Sequence, residues 1–95
     1  MTLDNKLRAS NRAVFAIHED EQGAKTQAFN WLFEANEPRT LAFVFVTEDG
    51  KFGSFVAFDA KAAQRLIEGT QWRFVSFARC TYVQAHKVFN GWEKF

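Results

Sequence analysis

Cysteine and proline each occur once in the 95 residues, glycine five times, and no apolar run is long enough to cross a bilayer. A lone Cys80 cannot close an intrachain disulfide, so packing must hold the fold, and a reducing, cytoplasmic setting is the expectation. The opening stretch, MTLDNKLRASNR, has no hydrophobic segment, and a soluble chain is the expectation. Net charge is only +1, so no overall field draws the chain to nucleic acid or makes it an acidic mimic of one.

Catalytic and cofactor motifs are missing as well. His18, His86 and Cys80 are not spaced as CxxC or HxxxH, which predicts no metal. Neither a glycine-rich dinucleotide loop, a phosphate-binding loop nor a GxSxG elbow occurs, so no cofactor is expected. Cys80 and His86 lie on different sides of a helix or about 20 Å apart along one strand, unless the chain turns sharply between them. The acidic run Glu19-Asp20-Glu21 leads to Gly23 and reads as a solvated loop, where no burial would tune a carboxylate for acid–base work. Together these absences point away from an enzyme.

What is present is aromatic: twelve Phe, three Trp and one Tyr. The densest stretch, residues 41–58, places two β-prone runs around Asp49-Gly50, a strong hairpin signal. A two-residue turn there pairs Glu48 with Lys51 and Leu41 with Phe58. That register puts Phe43, Phe45, Thr47, Phe52, Ser54, Val56 and Phe58 on one face. Ala42, Val44, Val46, Gly53, Phe55 and Ala57 share the other.

Around the hairpin, residues 13–18 alternate as a strand. Residues 24–36 carry Phe29, Trp31 and Phe33 two apart, which favours a strand paired back onto 13–18; a helix would instead group Ala28, Trp31, Leu32 and Ala35. Pro38 lacks an amide donor and marks the connection into the hairpin. Asp59 is a good N-cap and Gly69 a good C-terminal stop for a short helix over 59–69. Residues 71–78 read as a strand with Trp72, Phe74, Ser76 and Ala78 on one face and Arg73, Val75, Phe77 and Arg79 on the other. Residues 80–95 fit a second helix or a further strand, and strand is favoured. Residues 1–12 form a short helix or a frayed tail.

The expected architecture is one α+β domain spanning 1–95: an antiparallel sheet of four to six strands, a β-meander around the Asp49-Gly50 hairpin, packed by the 59–69 helix. Such a helix is too short to cover an apolar sheet on both faces, so a second face must meet the C-terminal segment, another copy or a partner. The function expected is a small non-catalytic binding or regulatory protein acting by contact with another protein. Trp31, Phe33, Trp72, Arg73 and Trp92 are its candidate anchors, being of the residue types that dominate such contacts. A homodimer fits the same surplus of apolar surface. Small motif-free chains of this kind are frequent among phage and plasmid accessory factors, including inhibitors of host systems. The alternative is a single-stranded nucleic-acid binder. Residues 69–95 hold four basic side chains against Glu93 alone, and Arg73, Arg79, Tyr82 and Lys87 are the contacts it would use.

Overall fold

The computed structural model describes residues 13–35 and 38–95; the expectation for 1–12 falls outside them. Chain order is β1 (Ala13–His18), α1 (Glu21–Glu34), β2 (Leu41–Val46), β3 (Phe52–Ala57), α2 (Ala60–Ile67), β4 (Arg73–Val83), β5 (His86–Phe89) and β6 (Glu93–Lys94). All strand pairs are antiparallel, in the order β1-β3-β2-β4-β5, with β6 also against β4. The α+β class and the six-stranded sheet match the expectation. The meander does not: each helix carries the chain past a neighbour, so β1 pairs with β3 and β4 with β2.

Residues 21–34 form a helix, not a strand. Asp20 caps it, accepting a 2.7 Å hydrogen bond from the Gly23 amide, and Glu21 lies at the positive end of the dipole. Ala24, Ala28, Leu32 and the following Ala35 are buried along one side. The misleading alternation has a helical meaning, because Phe29 and Phe33 are four apart and their rings touch at 5.1 Å. Small alanines let α1 sit close on the small-residue face of the sheet, with Ala42, Val56, Ala78 and Cys80 beneath it.

The turn after β2 has three residues. The Gly50 amide bonds to the Thr47 carbonyl, the Thr47 amide to the Lys51 carbonyl, and Gly50 adopts φ +85°. This turn with a glycine bulge shifts the expected register by one, so Val46 faces Phe52 and Leu41 faces Ala57. The shift exchanges the faces of β3. Phe55, Gly53 and Ala57 join Phe43 and Phe45, whereas Val56 and Ser54 turn towards α1. Gly53 has a packing role there. A Cβ on it would lie 2.0 Å from the Phe45 ring, so the ring occupies the space a side chain would need.

Helix α2 keeps its predicted ends, with Asp59 accepting from the Ala62 amide at 2.9 Å and Gly69 at φ +78°. It lies over the Phe face through Ala62, Ala63 and Leu66. Trp72 covers more of that face, stacking on Phe45 at 4.9 Å. A register shift opposite Val44 and Phe45 sets Ser76 against Val44 but Phe74 against Phe45, leaving Val75 extra. This bulge puts Trp72, Phe74 and Phe77 on one face, correcting the simple alternation. The C-terminal segment forms the short strands β5 and β6, so the second helix of the fold is α1 rather than a C-terminal one.

Candidate binding surface

Strand β4 is longer than its neighbour. Arg79 is its last residue paired with β2, and Cys80 to Val83 continue beyond that pairing, matched among the described residues by β5. The resulting arm closes through Gln84 and Ala85, both with positive φ (51° and 67°). A two-residue loop with both residues in that region is the type I′ turn that suits strand twist, made here without the glycine that would relieve it.

Lys87 and Phe89 brace the arm against α1. Lys87 Nζ donates to the carbonyls of Leu32, Phe33 and Ala35 at 2.8, 2.8 and 2.6 Å. These groups close α1, whose last turn has no basic residue of its own and whose dipole is negative at this end. The same ammonium lies 5.6 Å from the Phe33 ring centroid. Phe89 packs edge-on against Phe29 at 4.8 Å, joining β5 to the helix a second time.

Around this braced arm the surface is apolar. Phe33, Tyr82, Val83 and Val88 are all exposed, Val83 by 56%. Tyr82 is the cross-strand neighbour of Lys87, and Val83 and Val88 occupy the face turned away from α1. Phe15 and Ile17 on β1 and Phe95 beside β6 are the other large apolar side chains exposed among the described residues.

The five anchors expected from composition do not meet. Trp31 and Trp92 are half-buried beside the α1 core, with Lys25 Nζ 6.0 Å from the Trp92 ring. Trp72 is on the opposite face, and exposed Arg73 pairs with Val46 at the far end of the sheet. Only Phe33 belongs to the arm surface. Of the nucleic-acid candidates, Tyr82 and Lys87 are on the arm, Arg79 at its base and Arg73 remote. Tyr82 and Lys87 were thus singled out for a different reason, and Val83 and Val88 were missed. Two valines alternating with polar residues carry no signal until the hairpin is seen to outrun the sheet.

Two constellations approach catalytic spacing. His18 Nε2 is 3.1 Å from Ser54 Oγ, but Ser54 is fully buried between sheet and helix and also donates to the Ala16 carbonyl at 3.5 Å. The pair satisfies two polar groups inside the helix–sheet interface. The hairpin does turn the chain between Cys80 and His86, yet Cys80 points into the α1 core while His86 shares the opposite face with Val83. Burial pushes the Cys80 thiol above its ordinary range, against a weaker pull from Lys87. Among the described residues no group of three His, Cys, Asp or Glu side chains is placed to hold a metal, and no helix is long and apolar enough to cross a membrane.

Comparison with known proteins returns no matching family model, no similar curated protein and no similar solved structure.

Proposed function

We propose that this chain is a non-catalytic binding module that acts by surface contact with another protein, and that the β4–β5 arm is its contact surface. One observation carries the reading. Four of the seven large apolar side chains exposed among the described residues lie on and beside a hairpin fixed to the fold by Lys87, Phe33 and Tyr82 on its α1 side and Val83 and Val88 on the other. Apolar side chains grouped on a braced element offer a partner burial with little ordering cost. Cross-strand neighbours on the arm, Thr81 with Val88 and Val83 with His86, make its outer face a mixed apolar and polar surface of the kind found at non-obligate interfaces.

The test compares a tagged full chain with a Val83→Asp/Val88→Asp variant in host lysate. The native protein retains a stoichiometric partner, and the variant loses it while keeping the same circular dichroism and melting temperature. Retention of the same partner by the variant removes the arm from the interface. Recovery of no partner by either protein removes the reading itself.

A second reading, single-stranded nucleic acid, draws on the β4 bulge, which places Phe77 on one face with Arg79 at the base of the arm. Most rings of that face are engaged with one another, Phe74 lying 4.8 Å from Phe43 and 5.9 Å from Phe95, which limits the stacking platform. Oligonucleotide binding that falls steeply with salt would favour this reading over the first.

A further inference from the structure

Two Asx-Gly pairs occur in the chain, Asp49-Gly50 and Asn90-Gly91, and the fold treats them differently. At the first, the Gly50 amide donates to the Thr47 carbonyl at 3.1 Å, and the Asp49 carboxylate accepts from the Thr47 hydroxyl. At the second, between β5 and β6, Asn90 is exposed, and no hydrogen bond from the Gly91 amide occurs among the described residues. Gly91 has φ +87°, and a Cβ built on it would meet nothing within 4 Å, so the space beside this peptide unit is open. The Asn90 side chain is held from one side, where the Thr81 hydroxyl donates to its Oδ1 at 3.3 Å.

We propose that Asn90-Gly91 is a site of spontaneous deamidation. The Gly91 amide nitrogen, having given its proton to hydroxide, attacks Asn90 Cγ. A C–N bond forms, the side-chain nitrogen departs as ammonia, and a cyclic succinimide remains. Water then opens the ring at either carbonyl, leaving aspartate or an isoaspartyl link at position 90. The sum is amide plus water giving carboxylate plus ammonium, with no oxidant or cofactor. Glycine favours the step because no side chain shields its nitrogen. Thr81 favours it too, since its hydroxyl already bonds the oxygen on which negative charge gathers during the attack.

The fold gives the reaction two consequences. Strand β4 pairs Cys80 with Phe89 but Phe77 with Glu93, so Asn90-Gly91 takes up an extra residue between β5 and β6. An isoaspartyl link lengthens the backbone further at that junction, next to a β6 only two residues long. The new carboxylate, beside Thr81, shares its face with Arg79, whose carbonyl accepts from the Asn90 amide at 3.2 Å. The Arg79 side chain is exposed and makes no ion pair among the described residues. Deamidation therefore sets an anion across the strand pair from this cation, on the outer face of the arm.

The site belongs to the chain itself, and its test does not depend on the arm's partner. The full chain is kept folded, and in parallel unfolded in guanidinium chloride, at mildly alkaline pH. The tryptic fragment Val88–Lys94 is then followed by mass spectrometry for loss of the amide and appearance of isoaspartate. The folded chain should convert within about tenfold of the unfolded rate, about 1.4 kcal/mol in barrier, and faster as pH rises. Thr81→Val should slow the folded reaction about threefold or more and leave the unfolded rate unchanged. Gly91→Ala should slow conversion at least about tenfold even in denaturant, a comparison that holds whether or not the variant folds. A fragment that stays intact in the folded chain while the unfolded chain converts overturns the proposal. Conversion indifferent to Gly91→Ala overturns it too, since the amide would then be hydrolysed directly by water. A folded rate unmoved by Thr81→Val overturns the part given to the hydroxyl.

Discussion

Gly53→Ala is the most informative single change, because its effect depends on a register that the hairpin sequence alone leaves open. In a regular strand, replacing glycine with alanine should stabilise by about 0.5–1 kcal/mol, since glycine loses more backbone freedom on folding. Here the new methyl would lie 2.0 Å from Phe45 Cζ and 2.4 Å from both Cε atoms, far inside van der Waals contact. The ring cannot swing aside cheaply. It is fully buried, stacked on Trp72 at 4.9 Å and met edge-on by Phe74 at 6.4 Å. Overpacking of this kind costs about 1–3 kcal/mol, and a contact this close falls at the upper end, so after the backbone gain a net loss of about 2 kcal/mol is expected. In a domain this size that lowers the melting temperature by about 8–16 °C.

Leucine at position 45 lacks the three ring atoms in question. Phe45→Leu alone should cost about 1–2 kcal/mol, yet in that background Gly53→Ala should cost almost nothing. Urea denaturation followed by circular dichroism, run as a double-mutant cycle, should give a coupling of about 2 kcal/mol between the sites. Additive costs within about 0.5 kcal/mol would refute the placement of Phe45 over Gly53, and with it the three-residue turn.

The arm and the core thiol give further expectations. Lys87→Met keeps most of the side chain's length but leaves three carbonyls of α1 without their donor, and should cost about 1–2 kcal/mol in urea, with faster amide exchange in the last turn of the helix. An unchanged stability would mean that water serves those carbonyls equally well. Replacing Gln84-Ala85 by Asn-Gly should stabilise by about 1 kcal/mol, because the new pair accepts positive φ; a loss would show that the two native side chains have contacts of their own. For Cys80 the folded thiol titrates above its ordinary value of 9.0. Its contribution to stability is therefore complete below that pH and declines as pH rises towards the raised folded value, since the unfolded chain loses its proton first. Cys80→Ala should remove this part of the alkaline slope, and identical slopes above pH 9.0 would contradict it.

Local chemistry was legible wherever neighbours in sequence settle it. Asp59 and Gly69 mark the ends of α2, the alternation of residues 13–18 marks β1, and Asp49-Gly50 marks a hairpin. Where two periods fit the same residues, the local pattern favoured the wrong one. Phe29, Trp31 and Phe33 alternate as in a strand, and Ala24, Ala28, Leu32 and Ala35 recur as in a helix. The helix prevails because its alanine side fits closely on Ala42, Val56 and Ala78, residues distant in the chain. The arm surface was hidden for a related reason: Lys87 reaches carbonyls more than fifty residues away, a contact no periodicity can signal.

Composition and local spacing thus determined the α+β class, the position of the hairpin, and the short helix with its caps. These depend on dihedral preferences and capping within a few residues. Tertiary structure alone decided which face of the hairpin meets which helix. One extra residue in the turn exchanges every side chain of β3 between the two faces, and that register sets the Phe45 ring over Gly53, where a side chain would clash.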